Sequence, residues 1–102
     1  MLKNLTDQER MDALKTLSGW SYQSEEKCLK KEYRFQDFKK AMAFMQEMTP
    51  YINKTDHHPE WLNVYNRLSV TLTTHDTGGV SQKDIDLALE LDAVFNRFNE
   101  KG

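Results

Sequence analysis

The chain has a single cysteine, Cys28, so no internal disulfide can form, and a reducing cytoplasm is the expected location. Nothing along it approaches the roughly 20 apolar residues that a membrane span requires. Its first residues, Met1-Leu2-Lys3-Asn4-Leu5-Thr6, lack the apolar centre of a signal peptide. An excess of either charge is also missing. The 14 Lys and Arg nearly balance the 16 Asp and Glu, giving a formal net charge of -2, which argues against nucleic acid as the main ligand. Lys27, Lys30, Lys31 and Arg34 do lie close together, but such a run most simply makes a solvated strand face beside a basic turn. Repeats, low-complexity tracts and interdomain linkers are absent. With 102 residues, 38% of them hydrophobic, the chain is expected to form one domain, residues 1–102, around one core.

Seven elements are legible. Thr6-Asp7-Gln8-Glu9 has the T-x-x-E form of a capping box, and Met11, Leu14 and Leu17 then recur at helical spacing. With Gly19 as the stop, a helix is predicted over about residues 7 to 18. Trp20 to Tyr22 reads as a short strand and Ser24-Glu25-Glu26-Lys27 as a turn. Leu29, Tyr33 and Phe35 then alternate with charged residues as in a half-exposed strand, although Lys31 interrupts the apolar face. Asp37 can cap a second helix, whose stripe is Phe38, Ala41, Met42, Met45, Met48 and Ile52. Phe44, Met48 and Tyr51 widen that stripe toward a second face, so the helix has apolar surface for self-association, and a C₂ dimer is the commonest closed solution. Pro50 should kink or end this helix, or free a carbonyl one turn back.

Trp61 to Val64 is β-prone, Tyr65-Asn66-Arg67 is a tight turn, and Leu68, Val70 and Leu72 alternate cleanly with Ser69, Thr71 and Thr73. After Thr77-Gly78-Gly79, Ser81-Gln82-Lys83-Asp84 opens a last helix with Ile85, Ala88, Leu89, Val94, Phe95 and Phe98 on its apolar face. The order α-β-β-α-β-β-α, with short connections between strands, predicts an α+β two-layer sandwich: a four-stranded antiparallel sheet with three helices on one face. The sheet's other face or edge is then solvated or paired with another chain.

The chain's three histidines are confined to two short segments, Asp56-His57-His58-Pro59-Glu60-Trp61 and Thr74-His75-Asp76. Histidine titrates closest to neutrality, so the cluster suggests proton transfer or metal binding. Pro59 steers His58 into an extended conformation, where neighbouring side chains point to opposite faces. His57 and His58 should therefore do different jobs or approach one ligand from different sides. Three histidines can hold zinc, but here the adjacent pair diverges and there is no H-x-H or H-x₃-H spacing. Trp61 could stack on a flat ligand, although a Trp entering a strand is more often core. Cys28 has no evident activating base, which favours a packing or surface role.

His57-His58-Pro59-Glu60-Trp61, Asn63-Val64-Tyr65-Asn66, Thr71-Leu72-Thr73-Thr74-His75-Asp76 and Lys83-Asp84 together closely resemble the pterin-4a-carbinolamine dehydratases, also known as dimerisation cofactors of a homeodomain transcription activator. Phe35, Phe38, Ala41, Phe44 and Met45 match the family's strand-to-helix segment, and the resemblance covers nearly the whole chain. It implies removal of water from a 4a-hydroxytetrahydropterin (4a-hydroxytetrahydrobiopterin in tetrahydrobiopterin recycling) to give quinonoid dihydropterin. That chemistry needs an acid for the leaving hydroxyl and a base for the N5 proton, with no cofactor and no metal. By resemblance, His57, His58 and His75 are catalytic and line the pterin site, with His58 and His75 as the proton-transfer pair and His57 orienting the ring. Pro59, Thr74, Asp76 and Thr77 would contact the substrate. Asp84 would orient a histidine or Lys83, or serve simply as a helix-start acid. One departure stands out: the family usually has an acid four positions before the first histidine, where this chain has Asn53. The family further implies a homodimer or homotetramer and an aromatic amino acid hydroxylase as pathway partner. The alternative is a helix-binding dimerisation module acting as a transcriptional coactivator, or a regulator with a vestigial site.

Overall fold

The computed structural model of the chain describes residues 2–100, and their side chains as far as Phe98. Residues 1, 101 and 102, at the two ends of the expected domain, lie outside the described residues. Four strands, β1 (Ser21–Gln23), β2 (Cys28–Arg34), β3 (Glu60–Val64) and β4 (Arg67–Leu72), pair antiparallel in the order β1-β2-β4-β3. Three helices, α1 (Asp7–Leu14), α2 (Phe38–Thr55) and α3 (Gln82–Glu100), complete the expected α-β-β-α-β-β-α order, and a short 3₁₀ turn over His75–Thr77 leads from β4 toward α3.

Alternation on β4 sets the core. Leu68, Val70 and Leu72 are buried, and the pairing register places Tyr33, Lys31 and Leu29 of β2 opposite them on the same face. Trp61 of β3, opposite Val70, joins that face and packs partly buried against the core. Ala41, Phe44, Met48 and Ile52 of α2 and Ile85, Leu87, Ala88, Leu91 and Val94 of α3 close over it. The sheet's other face carries Glu32, Arg34, Arg67 and Ser69, all exposed, so the period-2 pattern is satisfied on both sides.

Several local expectations need correction. The first helix stops at Leu14 rather than near residue 18, and Met11 is 57% exposed. Leu17 reaches the core because the chain turns after Leu14, with Gly19 at φ +84°, rather than by helical spacing. The strand expected from Trp20 begins at Ser21, because the Trp20 indole turns inward to Asp92. Pro50 does not end α2, which continues to Thr55. The i−4 carbonyl it leaves without a donor belongs to Gln46, an exposed residue where water can replace the lost bond. Phe38 and Met42, assigned to the buried stripe, are 48% and 40% exposed.

Lys31 belongs to no solvated basic face. It points inward, and its Nζ lies 2.8 Å from Asp92 Oδ1 and 2.8 Å from the Ser18 carbonyl oxygen. The same carboxylate accepts from the Tyr33 hydroxyl at 2.5 Å and from the Trp20 indole at 3.1 Å. A cation thus occupies an apolar strand position because α3 supplies the counter-charge. Lys30 and Arg34 do point outward, toward Glu26 and Glu32.

Candidate active site

The site begins where α2 ends. Asp56 adopts a left-handed conformation (φ 52°, ψ 39°), which turns the chain out of the helix and releases His57 and His58. Pro59 follows and holds His58 out of the helical region. The two rings then separate as extended neighbours should. The His57 side chain is 11% exposed and that of His58 60%.

His57 is fixed by one buried group. Its Nε2 lies 2.7 Å from Asp84 Oδ1, and Asp84 is fully buried (0% exposed). A carboxylate oxygen accepts, so Nε2 carries the hydrogen and Nδ1 is the nitrogen left for other contacts. The other carboxylate oxygen, Oδ2, accepts from the Thr74 hydroxyl at 2.7 Å and from the Ser81 backbone N–H at 2.9 Å. The Thr74 hydroxyl has only one hydrogen and gives it to Asp84, so across the 2.6 Å contact between the two hydroxyls Ser81 donates to Thr74. Asp84 sits in the first turn of α3, where an acid complements the helix dipole, and its bond to the Ser81 N–H is of the helix-capping kind. Its two readings from sequence, helix-start acid and histidine partner, are therefore both realised in the geometry.

His75 arrives from the other side. β4 ends at Leu72, Thr74 pairs with Gly79 in an isolated bridge, and the intervening 3₁₀ turn, closed by Gly78 at φ 70°, presents an exposed His75. All three histidines open on one cavity of about 280 Å³, whose wall also includes Thr74 and Asp76. Asp56, Thr73 and Lys83 complete the wall. These three were not assigned to the site from sequence, although each directly precedes a residue that was. Pro59 and Thr77 stand outside it. The Thr77 hydroxyl lies 3.3 Å from the Thr74 carbonyl oxygen, and the Thr77 carbonyl accepts from Asn4. Asn53 is exposed on α2 and is likewise not part of the wall, and neither is Trp61. Among the described residues, no group of three or more His, Cys, Asp or Glu side chains is disposed to hold a metal ion. No helix among them is long and apolar enough to cross a membrane.

Cys28 lies apart from this cavity, buried at the start of β2, and burial raises its thiol pKa, so the fold does not activate it.

A family model described as Pterin 4 alpha carbinolamine dehydratase matches residues 3–94. A protein of Rhizorhabdus wittichii, provisionally named pterin-4-alpha-carbinolamine dehydratase, is 44% identical over 93 residues, covering 91% of this chain and 96% of its own. A Rhodopseudomonas palustris protein with the same provisional name is 46% identical over 94 residues, covering 92% and 93%. The crystal structure of a transcriptional coactivator/pterin dehydratase from Brucella melitensis superposes with a TM-score of 0.86 at 41% identity, over 89% of this chain and 97% of that one.

Proposed function

The chain belongs to the pterin 4 alpha carbinolamine dehydratase family, a family of hydro-lyases, and from that premise we propose how its three histidines remove water from a pterin-4a-carbinolamine. The observation that carries the proposal is the opening of all three rings on a single cavity, with one of them fixed by a buried carboxylate. His57 has one nitrogen committed to Asp84 and is mostly buried, which suits it to hold and orient the flat ring. His58 and His75 are exposed, and among the described residues neither ring makes a hydrogen bond, although His58 Nδ1 lies 4.0 Å from Asp56 Oδ1, so both rings are open to substrate and solvent.

One of these two, as imidazolium, gives a proton to the 4a-hydroxyl, which departs as water while the N5 lone pair forms the new C=N bond. The other, as neutral imidazole, takes the N5 proton. The product is quinonoid dihydropterin, and solvent returns the two rings to their starting states. General acid–base catalysis of this sort supplies about 10²–10⁴-fold. We assign the reaction to 4a-hydroxytetrahydrobiopterin in tetrahydrobiopterin recycling, in a cytoplasmic homodimer or homotetramer of a single 1–102 domain, downstream of an aromatic amino acid hydroxylase.

Freshly generated carbinolamine, followed spectroscopically, tests the scheme. His58→Ala and His75→Ala should each lower turnover by about 10²-fold or more, and unchanged turnover in either variant removes that residue from proton transfer. A second reading, a helix-binding coactivator module, is favoured by the exposed Phe38 and Met42 on α2 and by the coactivator named in the Brucella structure. A complex with a partner helix that survives histidine substitution would establish it as a separate activity.

A further inference from the structure

The turn that presents His75 is built mostly from contacts within itself. The Thr74 N–H donates to the Gly79 carbonyl at 2.8 Å, and the Gly78 N–H donates back to the Thr74 carbonyl at 2.9 Å. These bonds fix the shape of the turn but not the place of its tip in the molecule. The exposed His75 ring adds no anchor, since among the described residues it makes no hydrogen bond. Yet His75 has to stand in the cavity it shares with His57 and His58, which come from the far end of α2.

Asn4, in the segment before α1, supplies the anchor. Its side-chain amide nitrogen donates to the Thr77 carbonyl oxygen at 3.0 Å. Among the described residues this is the one hydrogen bond that ties residues 75–78 to a residue outside the turn. The segment carrying Asn4 is itself held. Asn4 pairs with Ser81 in an isolated bridge, the Leu5 N–H donates to the Val80 carbonyl at 2.9 Å, and Thr6 caps α1. The Leu5 side chain packs, partly buried, against the core. Gly79 makes room for the approach. A Cβ at that position would lie 3.0 Å from the Asn4 amide nitrogen and 3.1 Å from its Cγ and Oδ1, inside the separation at which carbon contacts are favourable.

We propose that Asn4 is a positioning residue for the dehydration: by holding the Thr77 carbonyl it keeps His75 where one flat ring can reach it and the α2-end histidines together. The inference rests on the dehydratase reading of the cavity, and it gives part of the work to a segment remote in sequence from all three histidines.

Asn4→Ala removes the donor, and Asn4→Asp keeps the size but turns an acceptor toward the carbonyl. Asn4 is exposed, and the Leu5–Val80 bond and the Thr6 cap remain, so both variants should fold. In carbinolamine dehydration each should lower kcat about tenfold with KM held within about twofold, because His57 still holds the ring while a proton-transfer group is misplaced. In the His75→Ala protein, adding Asn4→Ala should cost less than about twofold more. Gly79→Ala, which pushes the Asn4 amide away from the carbonyl, should reproduce the loss, and adding Asn4→Ala to it should lower kcat no further. Without substrate, Asn4→Ala should shift or broaden the His75 ring signals by NMR and leave those of His57 in place. Native kcat in Asn4→Asp, or an equal fold loss with and without His75, overturns the positioning role and leaves the dehydratase reading intact. Failure of the native protein to accelerate dehydration overturns both.

Discussion

Replacing Asp84 tests the site at its most buried point. In Asp84→Ala, three donors lose their acceptor at once: the His57 Nε2–H, the Thr74 hydroxyl and the Ser81 backbone N–H. Each unsatisfied buried donor costs about 1–3 kcal/mol. Water entering from the adjacent cavity recovers part of this, so a loss near 3 kcal/mol is expected, against a total stability of about 5–15 kcal/mol. Asp84→Asn separates stability from function. Its amide oxygen can stay at the Oδ2 position and keep Thr74 and Ser81 satisfied. Its NH₂ then faces His57 Nε2, which must become an acceptor, moving the ring hydrogen to Nδ1. The fold should lose only about 1 kcal/mol. Turnover should fall roughly tenfold, because the His57 nitrogen available to substrate changes from acceptor to donor. Urea denaturation, carbinolamine dehydration and the ring ¹⁵N shifts of His57 measure the three quantities. The reasoning fails if Asp84→Asn keeps turnover within twofold of native while its His57 ring shows the shifted tautomer, or if Asp84→Ala loses under about 1 kcal/mol.

Legibility in the sequence followed the kind of force involved. β4 was readable because Leu68, Val70 and Leu72 alternate without interruption, and the paired strands and covering helices inherit their burial from it. The termination of α1 was not readable. Met11, Leu14 and Leu17 have helical spacing, but the turn at Gly19 depends on Lys31 and Trp20 reaching Asp92, partners 61 and 72 residues away. Lys31 looked like a flaw in an apolar strand because its counter-ion lies on another element. At the site, residue types pointed to the three histidines, and tertiary structure alone brings the turn bearing His75 to the end of α2. Thr74 shows the limit of the approach: it was assigned to the substrate, yet its one hydroxyl hydrogen goes to Asp84, so its main work is to hold the group that holds His57. Sequence pattern names the residues that carry chemistry far better than it names those that position them, because positioning depends on contacts distant along the chain.

The remaining expectations concern stability. Asp92→Ala strands the Lys31 ammonium, the Tyr33 hydroxyl and the Trp20 indole, and at a site that is only partly exposed this should cost about 2–4 kcal/mol by urea denaturation. Turnover of the folded fraction should be unchanged, since none of these groups lines the histidine cavity. Alkaline pH should also weaken the fold. Burial, and then the Asp92 carboxylate, raise the Tyr33 pKa far above the ordinary tyrosine range, and burial raises that of the Cys28 thiol. For both groups the folded state keeps its proton after the unfolded chain has lost it. Their stabilisation is thus fully present below the unfolded pKa values, near 8.5 for Cys and 10 for Tyr, and declines as pH rises above them. The slope approaches about 1.4 kcal/mol per pH unit for each group while the two states differ by a whole proton. Denaturation midpoints should therefore fall between about pH 9 and 11, and Tyr33→Phe should flatten the steeper part of that fall. A midpoint that rises with pH across the window would mean that the unfolded chain retains these protons more strongly than the fold does, contradicting the burial of Tyr33.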